Sequence, residues 1–330
     1  MTDLCDAVRR GDPRALARAI TLIENEAEQG RALVASLYTR SGRALTLGVT
    51  GPPGAGKSTL VDQLVTHVRR LGLTVGVLAI DPTSAFSGGA ILGDRVRMSG
   101  HAGDDGVYIR SMATRGELGG LARAAADAAV VLDVAGKDVV IVETVGVGQD
   151  EIDVAQAVDV TVVVLVPGTG DDVQAIKAGI MEIADVFVVN KADREGADRM
   201  VQSIEMNLSL QTHGEHDWRP QVVKTVATTG DGVEALWRAI DACRERGVDA
   251  ARVRRRRGHA HRLRQLLADG FLRHVDRVTP AARMEQTIDR IAARELDVYS
   301  AANEILRNAL AVRGAAAGEP AGPPPGREPR

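Results

Sequence analysis

A mainly parallel β-sheet covered by helices is the fold class that this 330-residue sequence predicts. Three observations carry the prediction. Short apolar runs of strand length recur through the middle of the chain, several of them apolar at consecutive positions, as strands buried on both faces require. Helical patterns alternate with these runs, so each strand can return parallel to the last through a crossover. The first run also leads into a glycine-rich loop that opens a helix.

Residues 1–42 read as a helical segment. Leu16, Ala19, Ile20, Ile23 and Ala27, then Leu33 and Leu37, recur at helical spacing. From Ala44 the pattern changes to strands at Leu45–Thr50, Thr74–Ile80, Val139–Val142, Val160–Val166, Val186–Val189 and Val222–Val226. Residues 43–247 are thus expected to form one α/β domain. Residues 248–313 are helical again, marked by Leu263, Leu266, Leu267, Leu296, Ala301 and Ile305. The end, 314–330, is mostly Ala, Gly and Pro with few apolar anchors, and is expected to be disordered. There is no internal repeat.

Composition narrows the function classes. Aromatic residues make up only 2% of the chain, so aliphatic and alanine packing must build the core. A net charge of −3 gives no electrostatic case for a nucleic-acid partner. The basic run Arg252–Arg257 reads as a solvated helix face. Cys5 and Cys243 lie far apart, without a Cys-x-x-Cys pair, which suggests a reducing compartment and no metal knuckle. No apolar stretch reaches the roughly 18–20 residues of a membrane span, and the N-terminus lacks an apolar signal core. The expectation is a cytoplasmic protein, or the mature form of an organelle protein, without a membrane partner.

The strongest motif is Gly51, Pro52, Pro53, Gly54, Ala55, Gly56, Lys57, Ser58 and Thr59, which fits G-x-x-x-x-G-K-[ST] between a strand and a helix. The glycines let the backbone turn its N–H groups inward onto phosphate oxygens, and the helix N-terminus adds partial positive charge. Lys57 is placed to neutralise the β- and γ-phosphates, and Ser58 to offer a hydroxyl to Mg²⁺. The fold class is therefore that of the P-loop NTPases.

A P-loop does not distinguish ATP from GTP; Asn190-Lys191-Ala192-Asp193, directly after a buried strand, does. A carboxylate at Asp193 accepts from the guanine N1–H and 2-amino group. Adenine has neither donor at those edges, so the carboxylate would go unpaired at a cost of about 1–3 kcal/mol or more. Asn190 and the Lys191 stem are expected to hold the base and the loop.

Between these motifs lie elements with the character of switches. Glu143-Thr144-Val145-Gly146 follows the strand Val139–Val142 at the place where many GTPases carry Asp-x-x-Gly. Glutamate is one methylene longer, which suits a water-mediated or base-like role, while the Gly146 N–H meets the γ-phosphate. Val147 stands where Ras-like enzymes carry a water-orienting glutamine, and an aliphatic chain cannot polarise water. Slow hydrolysis that accelerates on a partner is the expectation. Gln149 reads equally as a substitute for that glutamine or as a surface polar residue. Asp81 closes its strand, and the long glycine-rich loop after it reaches Asp94. Both acids are candidate magnesium-shell carboxylates, or else turn and cap acids. Gly168–Lys177 is either a further nucleotide-sensing loop or an ordinary strand-to-helix connection.

Taken together, Gly51–Thr59, the run from Asp81 through Asp94 to Arg95, Glu143-Thr-Val-Gly-Val-Gly-Gln149, Lys177–Asp185 and Asn190–Asp193 resemble the MeaB family over roughly residues 3–310. That family has also carried the name ArgK, an arginine/ornithine transport kinase. The resemblance implies a GTPase chaperone of adenosylcobalamin-dependent acyl-CoA mutases, chiefly methylmalonyl-CoA mutase, using GTP/GDP and Mg²⁺ and meeting adenosylcobalamin only through the partner. It implies that Ser58, Asp81, Asp94 and Glu143 serve the metal and water shell. It puts Asp94 in a first switch, Gly146–Gln149 in a second, and Gly168–Lys177 in a third that senses the mutase, with Lys177 in the catalytic set. It further implies a homodimer through the C-terminal helical arm. One departure is visible: the guanine-supporting loop, usually Ser-Ala, reads Thr225-Val226-Ala227-Thr228. Its Ala227 N–H is expected to meet the guanine O6 without the serine contact. The pairs His213/His216 and His259/His261 have no cysteines nearby, which argues against a nickel-delivering relative.

Overall fold

The computed structural model of the protein describes residues 2–81, 99–101, 103–113, 120–144, 154–155, 157–168, 178–210, 218–246 and 248–316. Asp94, Gly146, Val147, Gln149 and Lys177 lie outside these residues, as does the expected tail from residue 317 onward, and Asp81 is described in its backbone alone.

Three helices open the chain: α1 (Thr2–Arg9), α2 (Pro13–Glu24) and α3 (Glu28–Tyr38). Asp12 caps α2, its Oδ1 accepting the Ala15 N–H at 2.7 Å, and Pro13 takes the first helical position, where a missing N–H loses no bond. The apolar positions read from the sequence form one buried face, with Leu16, Ala19 and Ile20 at most 1% exposed. Full burial of a chain such as Ile20 contributes roughly 2 kcal/mol. These helices belong to the same compact unit as the sheet.

The sheet follows as β1 (Leu45–Thr50), β2 (Val75–Asp81), β3 (Val107–Ala113), β4 (Val139–Glu143), β5 (Val160–Leu165), β6 (Val186–Asn190) and β7 (Gln221–Thr225). Its order is β3-β2-β4-β1-β5-β6-β7, and every pairing is parallel. Helix α4 (Lys57–Arg70) follows β1, and α5 (Gly120–Val134) lies between β3 and β4. Then come α6 (Ala178–Ile183), α7 (Ala197–Leu210) and α8 (Val233–Arg246). Six of the strands stand where the apolar runs predict them, within one residue at each end. The edge strand β3 was not expected.

Strand alternation splits the core into two layers. On one face Val139 and Ile141 join Leu47, Val49, Val162 and Val188 under α4 and α8. On the other, Val140 and Val142 meet α2, α3 and α5 through Leu16, Ile20, Leu33 and Leu132. Farther along that face Val163, Phe187 and Val189 pack on α7 through Met200, Ile204 and Leu208. Burial on both faces explains why these strands read as continuous apolar runs.

The N-terminal edge of the sheet is tied by acids to backbone donors. Asp133 accepts from the N–H groups of Gly42, Arg43 and Ala44 ahead of β1. Asp159 accepts from Thr46 N–H at 3.1 Å, and Asp185 from Thr161 N–H at 2.9 Å. With that edge fixed, the loops at the opposite edge carry the variable chemistry.

The chain continues as α9 (Val248–Val278), α10 (Ala281–Ala292) and α11 (Val298–Ala316). Contacts divide it into two compact units, Met1–Gly258 and His259–Arg330. Helix α11 runs to Ala316, past the expected end at 313, because alanine continues a helix at little cost. Within the second unit, Asp297 caps α11 by accepting the Ser300 N–H at 2.9 Å. Hydrogen bonds from Ser300 hold the Asp297 carboxyl below the usual carboxylate range. Leu263, Leu267, Leu272, Ile288 and Leu310 are each 56 to 63% exposed. Among the described residues, no helix is long and apolar enough to cross a membrane.

Candidate functional site

All strands being parallel, their C-terminal ends lie along one edge, where α/β sheets bind ligands. At this edge the central strand β1 runs into Gly51–Gly56, β4 ends at Glu143, β6 at Asn190 and β7 at Thr225. Motifs far apart in sequence thereby become neighbours.

The loop after β1 requires glycine. Gly51, Gly54 and Gly56 have φ of 140°, 75° and 86°, values that side chains disfavour. Gly51 has the least room: a Cβ there would sit 2.1 Å from Val164 O of the adjoining strand. Gly51→Ala is expected to lower stability by about 2–4 kcal/mol, read as a shift of the urea unfolding midpoint.

Lys57 opens α4 and is only 6% exposed. Its Nζ donates to Gly51 O at 2.7 Å and Pro52 O at 3.0 Å, so the ammonium is held across the mouth of the loop by the loop's own carbonyls. Ser58 Oγ donates to Glu143 Oε1 at 2.6 Å, with Glu143 4% exposed. A half-buried hydroxyl and a buried carboxylate side by side form a hard-oxygen donor set of the kind Mg²⁺ prefers, so these two residues fit that ion. Beneath them Thr144 Oγ1 donates to Thr50 Oγ1 at 2.9 Å, and Thr144 N–H donates to Val49 O at 3.0 Å. This fixes the residue after Glu143 against the residue before Gly51.

Asn190 is the hub of the second motif and is 1% exposed. Its Nδ2 donates to Ala55 O at 2.8 Å, while its Oδ1 accepts from Thr225 Oγ1 and from Ala227 N–H, both at 3.1 Å. Lys191 Nζ donates to Gly54 O at 2.8 Å. Lys191 itself has φ 57°, a left-handed turn closed by Arg194 N–H to Lys191 O at 3.0 Å, and this turn leaves Asp193 exposed. Asn190 and Lys191 thus brace the Gly51–Gly56 loop directly. The Ala227 N–H, expected to face guanine O6, donates instead to Asn190. Val226 N–H donates to Asp231 O at 3.0 Å, and Thr228 is exposed.

The structure therefore brings Gly51–Thr59, Glu143, Asn190–Asp193 and Val226–Thr228 to one edge, with the Asp81 backbone at the end of β2. Sequence reasoning assigned no role to the hydroxyls of Thr50, Thr144 and Thr225. Their signal was a threonine at the last position of an apolar strand, or directly after one, where a hydroxyl can tie neighbouring loops. Among the described residues, no group of three or more His, Cys, Asp or Glu side chains is placed to hold a metal.

The chain is similar to known proteins over most of its length. The profile of the family described as "Methylmalonyl Co-A mutase-associated GTPase MeaB" matches residues 16–279. A Pyrococcus abyssi protein named as a GTPase is 48% identical over 312 residues, covering 93% of this chain and 96% of its own. The mouse "Methylmalonic aciduria type A homolog, mitochondrial" is 35% identical over 284 residues, covering 80% of this chain and 68% of its own. Among solved structures, one titled as an LAO/AO transport system kinase superposes with a TM-score of 0.69 at 28% identity. It covers 93% of this chain and 96% of its own.

Proposed function

This chain belongs to the MeaB family of GTPases, and on that premise we propose that it binds GTP with Mg²⁺ and hydrolyses it to gate the loading of adenosylcobalamin into an acyl-CoA mutase. The observation that carries the nucleotide part is the direct bracing of Gly54 and Ala55 by Lys191 and Asn190. It makes base recognition and phosphate recognition one rigid unit, so a base that fits Asp193 holds its phosphates in register with Lys57.

In this reading the Gly51–Thr59 N–H groups cradle the phosphates and Lys57 moves from its carbonyl partners onto the β- and γ-phosphate oxygens. Ser58 and Glu143, with Asp81 and Asp94, would hold Mg²⁺. The ion would supply neutralisation of phosphate charge. Gly146 meets the γ-phosphate, and Gln149 and Lys177 enter the site with the switch loops. Val147 leaves the attacking water without a polar partner, so hydrolysis is slow until the mutase completes the site. Adenosylcobalamin is held by the mutase, methylmalonyl-CoA mutase or a close relative, and not by this chain.

The test is GTP turnover alone and with a purified adenosylcobalamin-dependent acyl-CoA mutase. We expect a slow basal rate and a rise of about tenfold or more with the mutase, as for GTPases completed by a partner. Fast hydrolysis by the isolated protein, or indifference to every mutase tried, would overturn the reading. Because a similar solved structure carries a kinase name, the same assay includes arginine and ornithine. Label from the γ-phosphate is expected in free phosphate, not in either amino acid.

The exposed apolar side chains of the second unit support a homodimer formed through this helical arm. Leu263→Glu with Leu267→Glu is expected to convert a dimer to a monomer by light scattering. A dimer that survives both charges places the interface elsewhere.

A further inference from the structure

An open cavity of about 690 Å³ lies at the end of the sheet opposite the phosphate loop. Leu45 and Val139, the first residues of β1 and β4, form its floor. Its size falls within the range of small-molecule sites.

The lining is cationic. Arg9, Arg40, Arg43, Lys137 and Arg244 face it, against the carboxylates of Asp133 and Asp138. Both carboxylates are turned to neutral donors instead. Asp133 accepts from the backbone N–H groups of Gly42, Arg43 and Ala44. Asp138 accepts from Thr74 N–H at 2.7 Å and Thr74 Oγ1 at 2.8 Å. Arg9 pairs with Asp6 at 3.2 Å on the exposed surface. Among the described residues, no carboxylate lies within ion-pair distance of Arg40, Arg43 or Arg244.

Lys137 is the most enclosed of the cations. Its Nζ donates to two neutral acceptors, Gly106 O at 3.1 Å and Asp105 O at 3.4 Å. Burial, reinforced by the nearby Arg69 guanidinium, pushes the ammonium below its usual pKa, against the opposing pull of the Asp104, Asp138 and Asp105 carboxylates. An anion in the cavity would relieve both effects. Beside these charges the apolar side chains of Leu73 and Trp237, both half-buried, also line the cavity. Multiple convergent cations beside an indole suit a compact polyanion with a ring, since guanidinium groups fork onto phosphate oxygens and aromatic faces stack on bases. A macromolecular polyanion would follow a basic stripe on an open surface, whereas these charges converge into a concavity.

We propose that this cavity is a second ligand site, taking a small molecule that carries two or more phosphate groups and a flat heterocyclic ring, separate from the guanine nucleotide at the opposite edge.

The chain has two tryptophans, so Trp218→Phe leaves Trp237 as the single indole reporter. This protein, full-length and saturated with GDP and Mg²⁺, is titrated with adenosine 3′,5′-bisphosphate at low salt. We expect saturable quenching of Trp237 with a Kd of about 0.1 mM or tighter, and no saturation with adenosine, which has no phosphate. Arg43→Gln with Arg244→Gln changes only solvent-facing side chains. It is expected to weaken the bisphosphate at least about tenfold while leaving the melting temperature and basal GTP hydrolysis unchanged. Calorimetry on the wild-type protein with both tryptophans present should give the same Kd. No saturable signal by either method, equal binding by adenosine, equal binding by the double variant, or displacement of GDP by the probe would each overturn the proposal.

Discussion

Lys57→Ala is expected to weaken GTP and GDP by roughly a hundredfold or more and to abolish measurable hydrolysis. The ammonium is 6% exposed and spans the loop mouth through Gly51 O and Pro52 O. In the proposed nucleotide-bound state those bonds would be exchanged for charge-assisted bonds to phosphate oxygens in a partly desolvated setting. Charged hydrogen bonds contribute about 1.5–3 kcal/mol each, and at 1.4 kcal/mol per tenfold two of them exceed a hundredfold. The substitution also leaves the two loop carbonyls without their donor, so the cradle itself loosens. Calorimetric titration with GDP and with a non-hydrolysable GTP analogue measures the loss, and circular dichroism checks that the sheet persists. Affinity within a few-fold of wild type would mean that the loop does not bind phosphate through this lysine.

Asp193→Asn is expected to weaken guanine nucleotides by about 10³-fold while sparing the fold. Asp193 is exposed at the end of the turn that Lys191 initiates, so replacing its carboxylate disturbs no packing. The amide turns a donor toward the guanine N1–H and 2-amino donors, and a mismatched polar group in a site built for a matched one is rejected strongly. Xanthine carries a 2-oxo group in place of the amine, so the variant should recover affinity for xanthine nucleotides. The measurement is competition among GDP, XDP and ADP for one labelled nucleotide. An unchanged guanine preference would refute the assignment of base recognition to Asp193. The two variants also separate their causes: loss at Lys57 is indifferent to the base, whereas loss at Asp193 depends on it.

Much of this molecule is legible in the residue order. Val160–Leu165 is apolar apart from Thr161 and is buried throughout, so its reading as a strand covered on both faces needed only the run itself. The phosphate loop and Asn190–Asp193 are short and contiguous, because each must present several groups within a few ångströms to one part of a ligand. Local backbone geometry suffices to do so. Strand β3 was not legible for the converse reason. Tyr108, Arg110 and Ser111 interrupt its apolar run, and as an edge strand it pairs with β2 alone. Its polar residues are explained by α2, where Glu24 accepts from Arg110 at 2.7 Å, 86 positions earlier in the chain.

The guanine-supporting loop shows the same limit. Its sequence placed Ala227 beside the base, but not the competition for its N–H. Thr225 and Ala227 both donate to Asn190 Oδ1, 35 and 37 residues upstream, because β6 and β7 are neighbours in the sheet.

The sequence by itself determined the strand–loop–helix of the phosphate site, the turn that carries Asp193, and the amphipathic helices, since these follow from backbone preferences and from burial at fixed periods. Only the tertiary structure decided that Ser58 meets Glu143 across 85 residues and that Asn190 braces Ala55 across 135. Only it gathered arginines from the N-terminal segment and α8 with Lys137 around one cavity. The reason is strand order. Which loops share an edge depends on how parallel strands pair, and no local property of β1, β4 or β6 encodes that β1 lies between β4 and β5.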